Sequence, residues 1–282
     1  MDFIKSGIAL NHRIDGRRLD EQAKISVIPN ISSNSHGSSQ VFLNDNIVQT
    51  TVNFSIASPD HSALDEGMVE VTASGAYIFE SDESAQREDE GIGNIIEALQ
   101  FQKNFIDKKI LCIMPNKFVW NLKIHTTILQ RGGSLLDAIS IGIVTALRCS
   151  RLPSVAVMLK DEIESSDDDK NLQVKLSAGL EYITLYTKTL RLNTEVMDIA
   201  KKLPIITTVA QIGSKNVWGI TKEEEICSGG FLSAAVCPDG ECVGIKINGS
   251  CFSMSSVDEL VRKCCTIAVN NHEVINEAIA TI

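Results

Sequence analysis

No apolar run in this 282-residue chain reaches the length needed to cross a bilayer, which sets aside a helical membrane protein. The opening MDFIKSGIALNHRIDGRRLD lacks the charge order and cleavage site of a secretory leader, so export is not expected. The eight cysteines include no C-x-x-C pair. Cys227, Cys237, Cys242 and Cys251 fall in or beside apparent strands, and Cys264-Cys265 on a helix. That scatter fits reduced thiols in a cytosolic or nuclear protein better than a disulfide frame or a zinc site. His36, His61 and His125 share no ligand spacing, so neither metal nor cofactor is expected. Positive charge is also short, with 26 Lys and Arg against 36 Asp and Glu and a net charge of −10. Such a balance argues against a protein that coats nucleic acid by itself, but leaves room for a local basic surface inside a larger assembly.

The residues that are present point to a mixed fold. Hydrophobic residues at 44% and charged residues at 22% are ordinary for a globular protein, and the length suits one large or two medium domains. The most informative stretch runs from Phe118 to Pro153. Phe118, Trp120, Leu122, Ile124 and Ile128 alternate with Asn121, Lys123, His125 and Thr127, which predicts a half-buried strand. Gly132-Gly133 then allows a tight turn, and Ser134-Leu-Leu-Asp137 has the spacing of a capping box. Leu136, Ile139, Ile143, Ala146 and Leu147 follow at helical spacing up to Arg148, Arg151 and Pro153. A helix start of this kind can hold an anion. Yet no Arg or Lys lies between Gly132 and Ala146, and Arg131 is the one nearby cation. On chemistry alone, the start of a core helix is the simpler reading.

Short strands are predicted at Lys24–Pro29, Val41–Leu43, Ile47–Ile56, Met68–Ser74, Ile110–Met114 and Ser154–Leu159. The segment Ile92–Phe105 has helical spacing. Later hairpins span Gly213-Ser-Lys215 and Cys237-Pro-Asp-Gly240, and Ser256-Val-Asp-Glu259 reads as a second capping box opening a final helix. The acidic runs Glu80–Glu90 and Asp161–Asp169 read as solvated loops, and Glu223-Glu-Glu225 as a solvated turn before a strand. Hairpins followed by helices, twice, predict an α+β fold of two similar strand-rich halves with helices packed on the sheets, residues 1–160 and 172–282. Glu162–Asn171 is the expected boundary. Trp120 and Trp218 are expected as core or interface anchors.

At this point the chain resembles the RNase PH-like proteins, in particular the ring subunits of the eukaryotic RNA exosome. The resemblance rests on Arg13-Ile-Asp-Gly-Arg17 beside the family's R-x-D-G-R opening and on Gly37-Ser-Ser-Gln-Val41 beside G-S-A-x-V. It continues through the Gly132-Gly-Ser-Leu-Leu-Asp-Ala-Ile-Ser140 run. Ile212-Gly-Ser-Lys215 and Glu223–Ser228 look closest to the component-seven branch, a non-catalytic type. The family's active members attack RNA from its 3′ end with inorganic phosphate, which calls for cations and carboxylates. Where they carry G-G-T-R-T, this chain has Gly132, Gly133, Ser134, Leu135 and Leu136. Where they carry R-S-L-R, it has Glu97, Ala98, Leu99 and Gln100, and their two acidic positions correspond to Glu225 and Phe231.

The resemblance therefore implies a non-catalytic structural subunit of the exosome core ring. Such a subunit supports 3′–5′ RNA processing and degradation and lines the RNA path. It implies other RNase PH-like ring subunits and cap subunits as partners, RNA in the assembled channel, no membrane, and location in nucleus, nucleolus and cytoplasm. Arg131, Lys117 and Arg87 are RNA-contact candidates by their place near loops, and no residue is assigned as catalytic. His12 and Arg13 are candidates for docking a neighbour. The rival reading is a phosphate-dependent exoribonuclease sharing a site with a partner subunit. A small-molecule kinase is weaker, because no Gly-rich loop with a cation cluster is present.

Overall fold

The computed structural model describes residues 1–281 apart from 62, 76–82, 102–107, 160–171, 179–180, 192–199 and 250–251, and gives backbone alone at 83–90, 153–159, 172–178, 181–191 and 254. A first sheet has the order β1-β2-β3-β6-β4, with β5 (Cys112–Met114) also paired to β6. Its strands are β1 (Ile25–Pro29), β2 (Gly37–Leu43), β3 (Asn46–Ala57), β4 (Met68–Gly75) and β6 (Phe118–Gln130). β4 runs parallel to β6, and the other pairs are antiparallel. The β2–β3 hairpin turns at Asn44-Asp45, where Asn44 takes a left-handed φ of 52°, a conformation its short polar side chain tolerates.

The predicted alternation in β6 holds from Leu122 to Ile128, and the Phe118–Leu122 end departs from it. There Val119 and Asn121 are buried along with Phe118 and Trp120, so both faces of this central strand are covered. On the polar face His125 lies against hydroxyls, with Nδ1 3.0 Å from Thr72 Oγ1 and Nε2 3.3 Å from Ser74 Oγ.

The second sheet is fully antiparallel in the order β11-β10-β12-β13. Its strands are β10 (Ile205–Ile212), β11 (Lys215–Trp218), β12 (Gly230–Val236) and β13 (Cys242–Gly249), so both predicted hairpins are present. A third sheet, β7-β9-β8, joins Leu152–Leu159, Glu181–Arg191 and Leu172–Ala178. β8 and β9 were not expected from the sequence, and the β7–β9 pairing joins chain from both sides of the 160–172 boundary. The Asp161–Asp169 run lies outside the described residues.

Helix α3 (Leu135–Arg148) joins the layers. It packs on β2 and β3 on one side and on β10 on the other, and all but one of its residues are buried. One apolar core accordingly runs from Val41 and Ile124 through Ile139 and Ile143 to Ile205 and Ile206. Arg148 closes α3 by giving Nη1 to Asn276 Oδ1 at 2.7 Å and Nη2 to His272 Nδ1 at 3.2 Å. Burial pushes the His272 imidazole down to about 4, and its Nε2 faces the Val236 carbonyl at 3.3 Å.

Two expectations about helices are corrected. The acidic run is not a loop from Glu83 onward: α2 spans Glu83–Gln100, because a charge-rich stretch can open a helix whose later residues, such as Ile96 and Leu99, are buried. The last helix, α5, begins at Met254, before the predicted box, and spans Met254–Ala280. Its N-cap, Ser253, makes no side-chain cap bond. Ser256 Oγ instead donates to the Ser253 carbonyl at 2.8 Å, which uses up the hydroxyl locally. The inward face is as expected, with Leu260, Cys264, Ile267 and Ala268 buried against β10 and β12.

Candidate functional site: a cleft between the two halves

The Gly-Gly turn is occupied by packing. The Gly132 N–H donates to Asn46 Oδ1 at 2.8 Å, and Asn46 Nδ2 donates to the Gly133 carbonyl. A Cβ on Gly132 would stand 2.9 Å from the Asn46 backbone nitrogen, and one on Gly133 would stand 2.2 Å from the Ile220 carbonyl oxygen. Both glycines are therefore needed for backbone to approach backbone, across the β2–β3 hairpin and across the two halves.

The capping box expected at Ser134–Asp137 does not form. Ser134 is left-handed, with φ 55°, and its buried Oγ has no hydrogen-bond partner. Asp137 turns away to the second half, where its Oδ2 accepts the Thr208 N–H at 3.1 Å. Full burial pushes the Asp137 carboxyl up to about 7, against the hydrogen bonds of Thr208 and Gln22, and the charge of Glu225 adds to the rise.

A box with the same spacing forms at Thr221–Glu224, opening α4 (Lys222–Cys227). Thr221 Oγ1 accepts the Glu224 N–H at 3.4 Å, and Glu224 Oε2 accepts the Thr221 N–H at 2.9 Å. The reading of Glu223–Glu225 as a solvated turn is thereby corrected, since Glu224 is only 2% exposed and pairs with Arg13. Arg13 gives Nε to Glu224 Oε1 at 2.9 Å and Nη2 to Oε2 at 2.7 Å, and also donates to the Trp218 and Gly219 carbonyls. Its side chain is fully buried, so Arg13 ties the amino-terminal strap to α4 and is unavailable to dock a neighbour, whereas His12 is exposed.

Between the halves lies a cavity of about 390 Å³. The end of β6 and the start of α3 give it Arg131, Gly132, Ser134, Leu135 and Leu136. α2 contributes Ile92 and Ile95, and the second half contributes Thr208, Ile220, Glu225, Phe231 and Ser233. Lys246 and Asn248 complete it from β13. The fold thus brings Arg131, the Gly-Gly-Ser-Leu-Leu turn, Glu225 and Phe231 to one place, although more than ninety positions separate the turn from Phe231.

Other candidates fall elsewhere. Lys117 precedes the first residue of the 13-residue β6 and Arg131 follows its last, so they stand roughly 45 Å apart at the usual strand rise. The Arg87 side chain is outside the described residues. Glu97 is half-buried and not part of the cavity wall, while Gln100 is buried, with Nε2 donating to the Pro204 carbonyl at 2.8 Å and the Ser140 carbonyl at 3.3 Å. Gln100 is therefore a polar tie between α2, α3 and the second half.

Sequence reasoning missed Thr208, Ser233, Lys246 and Asn248. The sheet places three of them: Phe231 and Ser233 are two apart on β12, and the register sets Asn248 and Lys246 directly opposite them. Among the described residues no three His, Cys, Asp or Glu side chains are grouped to hold a metal, and the seven described cysteines are free thiols.

Comparison with known proteins agrees with this architecture. Residues 21–153 match the 3′ exoribonuclease family, domain 1. The chain is 26% identical over 262 residues to the exosome complex component Rrp42 of Sulfurisphaera tokodaii, a match covering 91% of this chain and 86% of that protein. It is 28% identical to Rrp42 of Methanocella arvoryzae over 58% of this chain and 64% of that protein. It is also 28% identical to RRP45A of Arabidopsis thaliana over 55% of this chain and 50% of that one. Among solved structures, an Archaeoglobus fulgidus exosome with RNA bound to the active site superposes with a TM-score of 0.70 at 22% identity, over 96% of both chains. Rice Rrp46 superposes at 0.61 with 13% identity, over 94% of this chain and 98% of that one. With two sheets and their helices arranged about α3 and this likeness extending over nearly its whole length, the chain has the RNase PH-like fold.

Proposed function

We propose that this chain is a non-catalytic subunit of the RNA exosome core ring, of the component-seven type. It supports 3′–5′ RNA processing and degradation through assembly with other RNase PH-like subunits and cap subunits, and it borders the RNA path. The observation that carries this reading is the wall of the cleft. Leu135, Leu136 and Phe231 stand beside Glu225 where a phosphorolytic site would need cations and a second carboxylate. Among the described residues, Glu225 is the one carboxylate that lines the cavity. The extended similarity to Rrp42 and RRP45A proteins supports the ring assignment, and Ile212–Lys215 and Glu223–Ser228 support the branch. Residence in nucleus, nucleolus and cytoplasm belongs to the same proposal, and the free thiols are compatible with those reducing compartments.

The rival is a phosphate-dependent exoribonuclease acting with a partner subunit. Arg131, Lys246 and Glu225 sharing one cavity is the observation in its favour. One experiment separates the two. The chain is assembled with its ring partners and assayed for release of nucleoside diphosphates from RNA, with and without phosphate. The inert reading expects no phosphate-dependent release that Glu225→Gln abolishes. Release that depends on phosphate and disappears with Glu225→Gln would overturn it.

A further inference from the structure

The cleft wall has a composition of its own. Ile92, Ile95, Leu135, Leu136, Ile220 and Phe231 make most of it apolar, in a volume within the range of small ligand sites. Its polar side chains are Arg131, Thr208, Ser233 and Asn248 together with Ser134, Glu225 and Lys246. Ser134 is 4% exposed and presents a buried Oγ with no partner, at the start of a 14-residue helix whose first amides favour an anion. Lys246 is exposed at the mouth, on β13. Glu225 stands in the same wall and disfavours a ligand of high negative charge.

We infer that this cleft binds a short peptide segment of a partner protein, with a large apolar side chain seated among the leucine, isoleucine and phenylalanine residues and a neighbouring carboxylate held by Ser134 and Lys246. The match is one of charge and polarity. Among the described residues the charged side chains of the wall are Arg131, Lys246 and Glu225, so one carboxylate balances them and can meet the Ser134 hydroxyl, whereas a nucleotide brings more charge than they offset and loses its hydration against six apolar side chains. A peptide suits the site better than a free carboxylic acid because β13 borders the cavity and is the edge strand of its sheet. Among the described residues no strand pairs with its outer side, so an extended segment can lie along it.

The test is selection of a phage-displayed heptapeptide library on the full-length chain, followed by binding of the enriched peptides as fluorescein conjugates. The expected result is enrichment of Leu, Ile or Phe beside Asp or Glu. Binding should weaken by roughly tenfold with Lys246→Glu, and by a similar factor when the peptide acid becomes its amide. Lys246 is exposed, so the variant should keep the wild-type melting curve, and Ser134→Ala gives a second, milder variant should it not. Peptides bound equally by Lys246→Glu, absence of any apolar-acidic consensus, or displacement by oligoadenylate or inorganic phosphate at lower concentration than by peptide would each overturn the inference. Ring assembly with Lys246→Glu, measured separately, reports on the proposed function and not on the peptide.

Discussion

Ser134–Asp137 and Thr221–Glu224 share the same spacing of hydroxyl and carboxylate, and they approach each other across the cleft, where a Cβ on Gly133 would meet the Thr221 carbonyl carbon at 2.5 Å. Only the second closes a capping box. Thr221 takes the extended backbone that an N-cap needs, while Ser134 is forced left-handed by the turn that brings Gly133 against Ile220. Asp137 is then drawn to the Thr208 amide and Glu224 to the Arg13 guanidinium. A local motif is thus an offer of hydrogen bonds, and the surrounding chain decides who accepts.

The comparison can be broken most forcefully at Glu224. Glu224→Ala removes the cap and strands a buried guanidinium, so denaturant unfolding should show a loss of about 3–5 kcal/mol. Gly133→Ala should cost about 1–3 kcal/mol, because its Cβ meets rigid backbone at 2.2 Å, and Gly132→Ala should cost less, its nearest contact being 2.9 Å.

At Asp137 the effect is one of pH. Its folded-state carboxyl is raised from 3.8 to about 7, so its contribution is fullest below pH 4 and is lost as pH rises towards 7. Thermal melts of Asp137→Asn should therefore gain on wild type across that interval and run parallel to it above. His272 acts in the opposite sense: lowered from 6.5 to about 4, it contributes above pH 6.5, and that contribution is lost as pH falls through this range. The difference between variant and wild type isolates Asp137 from it. The smallest contrast is between the caps themselves. Thr221→Ala should cost about 1 kcal/mol, and Ser134→Ala should change stability by less than about 0.5 kcal/mol, since its hydroxyl has no bond to lose.

Much of the fold was legible because its signals are local. The β6 alternation, the Gly-Gly break, the α3 periodicity and the two late hairpins each depend on side chains a few positions apart. β8 and β9 escaped notice because a strand in a small separate sheet is specified by its partners, and β9 pairs with β7 across twenty residues and more. The site was half legible. The family pattern picked out Leu135, Glu225 and Phe231, which do meet, yet periodicity could not reveal Lys246, whose relevance comes from its register opposite Ser233.

The sequence alone determined which residues stand at the Gly-Gly turn, and that Leu135 and Leu136 bring it no cation. It also determined that the chain carries excess negative charge. Only the tertiary structure decided what those residues do. It used the glycines to let two halves touch, sent Asp137 across to β10, buried Glu224 against Arg13, and enclosed Leu135 and Phe231 in one largely apolar cleft. The physical reason is range: backbone preference and hydrophobic period act over a few residues, whereas burial and hydrogen-bond satisfaction depend on segments more than seventy positions apart.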